Sequence, residues 1–228
     1  QLKLVHVPYK GIPEAMTAVV SGAVQFNFSP VVNILPLSRD GKLLAMEVDF
    51  TLEHLFGSYL HRQIPEKEFM TIRDAFSDIV RRLAAEPRVF THRDYHSRNI
   101  MIPSSGKMVC IDFQDARMGL RAYDLASILR DSYYQLSEAN VYNLVDRYIS
   151  MAGREEKIDR EHFFRIFDLM SIQRNFKAIG SFTSFYGKRN NAMYIRFVGN
   201  TFENIRRNLG KFPEYRKLRE LLFHYYYF

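Results

Sequence analysis

From Glu47 onward, apolar residues recur at helical spacing almost to the end of the chain, and one short β-like insertion interrupts them. Residues 50–60 put Leu52, Leu55, Phe56 and Tyr59 on one face. Residues 71–85 repeat the pattern with Ile72, Phe76, Ile79, Val80 and Leu83, and Pro87 marks its end. In the insertion, residues 99–102 and 108–113 read as apolar strands joined by Pro103-Ser104-Ser105-Gly106-Lys107, a run of turn formers, so the pair predicts a hairpin. After Tyr123 the helical period returns through 125–134, 141–151, 162–179 and 194–209. This pattern predicts an α+β fold, mostly α-helical, with a single hairpin set among helices.

Before Ala45 the chain has a different character. Residues 2–7 and 23–28 read as strands, 12–20 as a short helix and Gly41-Lys42 as a turn. The result is a β-α-β rhythm in a segment too short for an independent α/β domain. A boundary near residue 46 therefore divides the chain into 1–45 and 46–228.

Composition narrows the function classes. At 228 residues, 47% hydrophobic and 25% charged, the chain belongs with ordinary globular proteins. No apolar run approaches the roughly 20 residues of a membrane span. The first residues lack the features of a secretory signal, so a soluble chain without a membrane partner is expected. The single cysteine, Cys110, excludes an internal disulfide and a multi-cysteine zinc site, and its apolar neighbours predict a buried position. The net charge of +7 suits a partner as anionic as a nucleotide. Its densest cluster (Arg206, Arg207, Lys211, Arg216, Lys217 and Arg219) reads as the solvated face of a terminal helix pair. No nucleic-acid-binding module is recognisable. The aromatic ending from Phe223 to Phe228 reads as packing.

The stretch with chemistry in it is His92-Arg93-Asp94-Tyr95-His96-Ser97-Arg98-Asn99, followed beyond the hairpin by Ile111-Asp112-Phe113-Gln114-Asp115. Phosphoryl transfer from a magnesium nucleotide needs a carboxylate beside the attacking hydroxyl and oxygen ligands for the metal. An Asp and an Asn on one tight loop can supply the first and part of the second. A hairpin returns the chain, so that Asp112 can lie close to Asn99.

The order His-x-Asp-x-x-x-x-Asn followed by Ile-Asp-Phe resembles the catalytic loop and metal-binding segment of protein-kinase-like enzymes. A second His two residues after the Asp is similar to the aminoglycoside phosphotransferase and choline kinase branch. The longer runs His-Arg-Asp-Tyr-His-Ser-Arg-Asn, Asp-Phe-Gln-Asp-Ala and Tyr-Asp-Leu-Ala-Ser-Ile-Leu-Arg-Asp resemble bacterial anomeric kinases of N-acetylmuramate and N-acetylglucosamine, which act in cell-wall recycling. The likeness runs from about Met46 to the end. It implies a protein-kinase-like C-terminal lobe, ATP and Mg2+ as cofactors, an amino sugar or other small molecule as acceptor, and a cytoplasmic location. By the same resemblance Asp94 would orient or deprotonate the acceptor hydroxyl, and Asn99 and Asp112 would ligate magnesium and so bind the nucleotide. His92 would brace the loop through hydrogen bonds and His96 would shape the catalytic site. Asp115 would contact the metal or the substrate, and Asp124 would anchor the loop.

Nothing before Met46 resembles the strand-rich N-terminal lobe that covers ATP in such enzymes. Instead, His6-Val7-Pro8-Tyr9-Lys10-Gly11, Ser21-Gly22-Ala23-Val24 and Gly41-Lys42-Leu43-Leu44-Ala45 resemble part of the solute-binding proteins of tripartite tricarboxylate transport systems. The expectation is a kinase C-lobe lacking its N-lobe behind a foreign fragment. Two other readings are an inert truncated kinase and a carboxylate-binding module.

Overall fold

The computed structural model describes residues 41–104, 106–153 and 157–228. The β-α-β rhythm and the transporter-like motifs ahead of residue 41 lie outside the described residues.

Gly41, at φ 69°, leads into α1 (Lys42–Leu52), which runs on as a π-helical stretch, Glu53–Tyr59. The helix expected at 50–60 thus begins eight residues earlier, and it widens where Leu55 and Phe56 are buried. Pro65 precedes α2 (Glu66–Ala84), with Glu66 and Glu68 in its first turn and Arg81 and Arg82 in its last. These charges complement the helix dipole at both ends. The apolar face named from the sequence, Ile72, Phe76, Ile79, Val80 and Leu83, is buried in full.

The insertion contains two small sheets where one hairpin was expected. Strand β1 (Arg88–Thr91) pairs antiparallel with β4 (Arg117–Leu120), so that Arg88 faces Leu120 and Thr91 faces Arg117. Between them, β2 (Ile100–Met101) pairs with β3 (Val109–Cys110). These inner strands are shorter than 99–102 and 108–113. Met101, Met108, Val109 and Ile111 are exposed, so no buried face rewards a longer ladder. Cys110 is exposed as well, which corrects its expected burial.

Helix α3 (Arg121–Leu129) follows β4 directly, and α4 (Glu138–Ala152) is capped by Ser137, whose Oγ accepts the Asn140 N–H. The longest helix, α5 (Arg160–Arg189), starts at the Asp159 cap and packs against α1, the π-helical stretch, α2, α3 and α6 (Val198–Leu209). Its buried residues Phe167, Met170, Phe176 and Ile179 make it the axis of the core. α1 crosses α5 at Gly180, where a Cβ would stand 2.3 Å from Thr51 Oγ1 and 2.9 Å from Thr51 Cα. The terminal helix pair exists as α6 and α7 (Arg216–Tyr227). Part of the aromatic ending packs as expected, with Tyr226 stacked on Phe202 at 3.9 Å, while Phe228 is exposed. Among the described residues, no helix is long and apolar enough to cross a membrane.

Candidate active site

The loop between β1 and β2 is held by acceptors from the helix that follows β4. Asp124, in the first turn of α3, accepts the backbone N–H of His92 at 2.6 Å and of Arg93 at 2.9 Å. Asp131, just past the end of α3, accepts the Ser97 N–H at 2.8 Å and the Tyr133 N–H at 2.9 Å. One helix thereby fixes both ends of the loop. Asp124 has the anchoring role expected of it, and it is not a cap of its own helix, whose N-cap is Leu120.

Arg93 has φ 74°, in the left-handed region that a non-glycine residue enters at a cost of about 1–3 kcal/mol. Several contacts hold it there. Its side chain is paired with the carboxylate of Glu47 from α1, and its guanidinium stands 5.0 Å from the centre of the Tyr123 ring. Lys177 of α5 lies 3.3 Å from the same carboxylate, and Gln173 donates to it at 2.8 Å. Burial alone would raise the Glu47 carboxyl, but Lys177 and Arg93 together hold it below the ordinary range. The loop is therefore tied to α1 and α5 through one largely buried anion.

Within the loop, Asn99 Nδ2 donates to the Asp94 carbonyl at 2.9 Å and lies 3.4 Å from Asp112 Oδ2. The Ile111 N–H donates to the Asn99 carbonyl at 3.0 Å, which draws the far strand of the hairpin against the loop. Asp112 itself has φ 68°, and its other oxygen accepts from Gln114 at 2.7 Å. The structure brings Asp94, Asn99 and Asp112 together as the hairpin argument required. It leaves Asp115 apart, exposed and paired with Arg117 at 3.4 Å. Because the Asn99 amide nitrogen is engaged by the loop, its oxygen is the atom left for a ligand. With the Asp112 carboxylate it makes a pair of hard-oxygen donors of the kind a divalent cation takes.

The two histidines differ. Both ring nitrogens of His92 are buried without a hydrogen-bond partner, and the ring packs edge-on against Tyr95. The expected bracing by His92 hydrogen bonds is thus corrected, because Asp124 braces the backbone there. His96 lines a cavity of about 180 Å³ together with Asp94, Ser127, Tyr133, Arg174 and Phe182. Its Nδ1 is buried and unpartnered. Burial first, and the Arg174 charge second, lower its pKa, against the opposing carboxylates of Asp131, Asp94 and Asp112. Arg98 stacks over Tyr133, which packs edge-on against His96, at 3.9 Å.

Glu47, Asp131, Arg174 and Lys177 also belong to this site, and the sequence reading gave none of them a role. For Asp131 a signal was present, since it ends the Tyr-Asp-Leu-Ala-Ser-Ile-Leu-Arg-Asp run. For Arg174 and Lys177 the signal was polar residues interrupting the apolar period of a long helix.

Residues 32–158 match the APH family, described as the phosphotransferase enzyme family. The chain belongs to this phosphotransferase family. It is 29% identical over 202 residues to the N-acetylmuramate/N-acetylglucosamine kinase of Neisseria meningitidis, covering 84% of this chain and 60% of that one. The kinase of the same name from Pseudomonas putida is 30% identical over 206 residues, with 89% and 60% covered. That from Pseudomonas aeruginosa is 28% identical over 212 residues, with 92% and 62% covered. The chain thus spans about three fifths of the length of these relatives. Among solved structures, a Plasmodium vivax ethanolamine kinase aligns with TM-score 0.46 at 15% identity, over 94% of this chain and 57% of that one. The phosphotransferase match begins at residue 32, inside the segment likened to a transporter protein, and nothing in these comparisons supports that likeness.

Proposed function

We propose that this chain provides the catalytic lobe of an ATP-dependent phosphotransferase whose acceptor is the anomeric hydroxyl of an amino sugar. The observation that supports this reading is Asp94 at the wall of the cavity, with Asn99 bonded to its carbonyl and Asp112 beside Asn99. The names of the relatives supply the sugar class, and the cavity suits it. Ser127, Ser132 and Ser181 bring hydroxyls to the cavity wall, and Tyr133 and Phe182 add apolar surface to it.

In this reading Asp94 accepts a hydrogen bond from the acceptor hydroxyl and aligns its oxygen with the phosphorus. It takes the proton as the new O–P bond forms and the bond to the nucleoside diphosphate breaks. His96 lines the acceptor cavity beside Asp94 and helps to shape it. Asn99 and Asp112 would hold magnesium, which would neutralise charge on the phosphates. The exposed Ile111 and Phe113 beside Asp112 offer an apolar surface for a purine ring. His92 supports the loop by packing, and Asp115 reaches the phosphates only after leaving Arg117. Residues 46–228 would form this lobe, with cytoplasmic ATP as donor.

The test is transfer from magnesium-ATP to N-acetylglucosamine and N-acetylmuramate by this chain and by Asp94→Asn. Transfer that falls about 100-fold or more in the variant is expected. An Asp94→Asn protein as active as the parent, or a folded parent that transfers to neither sugar, would overturn the reading.

A further inference from the structure

Arg174 sits in the middle of α5, far along the chain from the catalytic loop, yet its guanidinium reaches the loop's carboxylate. One terminal nitrogen lies 3.5 Å from Asp94 Oδ1, and Nε donates to Ser127 Oγ at 2.9 Å. Ser127 is itself fixed, its hydroxyl donating to the Tyr123 carbonyl at 3.0 Å. The guanidinium also stands 5.8 Å from the centre of the Tyr123 ring. The side chain is 12% exposed, so the planar fork is set by its surroundings and not by solvent. A guanidinium fixed at Nε by Ser127 and presenting a terminal nitrogen to Asp94 is suited to orient a carboxylate.

The distance to Asp94 is informative. At 3.5 Å the contact is an ion pair, longer than the 2.7–2.9 Å of a tight charge-assisted hydrogen bond. Such a partner sets the direction of the Asp94 carboxylate while leaving its oxygens able to accept from a substrate hydroxyl. Arg174 and Ser127 both line the cavity, so the pair also forms part of the wall against which an acceptor would rest. The nearby cation Lys177 is occupied elsewhere, at 3.3 Å from Glu47 and 3.2 Å from the Tyr123 hydroxyl. Arg130 is paired with Glu138.

We propose that Arg174, held by Ser127, is the positioning residue for Asp94, fixing the carboxylate in the orientation from which it engages the acceptor hydroxyl. This rests on the phosphotransferase reading above. It predicts an effect on turnover and not on nucleotide binding, because Arg174 lies on the acceptor side of the loop. The proton path is unchanged: it moves from the acceptor hydroxyl to Asp94, with the phosphoryl group passing from nucleoside triphosphate to the acceptor oxygen.

The experiment compares kcat, both KM values and the thermal midpoint for the parent chain, Arg174→Met, Arg174→Lys, Asp94→Asn and the Asp94→Asn/Arg174→Met double variant. For Arg174→Met we expect kcat to fall about 100-fold with the KM for ATP unchanged, as misplacement of a reacting group does. Arg174→Lys, which keeps the charge, should recover at least tenfold of that loss. The double variant should be no slower than Asp94→Asn alone, since a residue acting through Asp94 has nothing left to position. An Arg174→Met variant with parental kcat would overturn the inference. So would losses that multiply in the double variant, or a Lys variant with no recovery despite a parental midpoint. A parent chain without transfer would instead remove the phosphotransferase reading, and this inference with it.

Discussion

Asp124 places both carboxylate oxygens on the main chain of the loop, accepting the N–H groups of His92 and Arg93. Arg93, with its left-handed backbone, is held at its amide by that acceptor and at its guanidinium by Glu47. Replacing Asp124 by Asn keeps one acceptor oxygen and puts an N–H2 group where the other was. One loop amide then loses its partner, at about 1–3 kcal/mol. Urea unfolding of Asp124→Asn should show a loss of that size, with a lower kcat because the neighbouring Asp94 is no longer held. At this scale the sequence was most informative where the signal was local. Asp94, Asn99 and Asp112 stand out from spacing on one loop and one hairpin, and the structure brings them together. The link from Arg174 to Asp94 was not legible, because 80 residues separate them and the break in the apolar period of the long helix does not say what the arginine meets. The positive φ of Arg93 and Asp112 was hidden too, since neither is a glycine.

Among the elements, α5 depends most on a small residue. At Gly180 the backbone of α1 approaches so closely that a methyl group would overlap Thr51 Oγ1 and Cα. Thr51 cannot easily yield, because its hydroxyl bonds to the carbonyls of Glu47 at 2.9 Å and Phe176 at 3.1 Å. Gly180→Ala should therefore destabilise by about 1–3 kcal/mol despite the gain in helix propensity, the reverse of an exposed helix position. The thermal midpoint of that variant checks this. The helices were legible because their apolar faces are amphipathic and long. The outer sheet of β1 and β4 was missed: its strands are four residues each, and Arg88 and Arg117 break any alternation. The short inner strands were overextended for a related reason. Apolar residues there read as strand interior, although the hairpin leaves them exposed.

For the molecule as a whole, Glu47 is the junction through which α1, the loop and α5 are joined. Its carboxyl is held below its ordinary value of 4.5 by Lys177 and Arg93, against the opposing effect of burial. A carboxylate depressed in the folded state adds stability above its unfolded pKa and loses it as pH falls through the folded value. The chain should therefore lose stability as acid is added below about pH 4.5. Glu47→Gln should abolish that part of the acid transition while costing about 3–5 kcal/mol at pH 7, because Arg93 and Lys177 lose their anion. Denaturant melts of both proteins from pH 7 to pH 3 would measure the two effects. Cys110 offers a different use of the same architecture. It is the chain's single sulfhydryl, exposed on β3 two residues before Asp112. A maleimide dye or spin label would therefore attach at one defined position, and its signal would report from the hairpin without background from any second thiol.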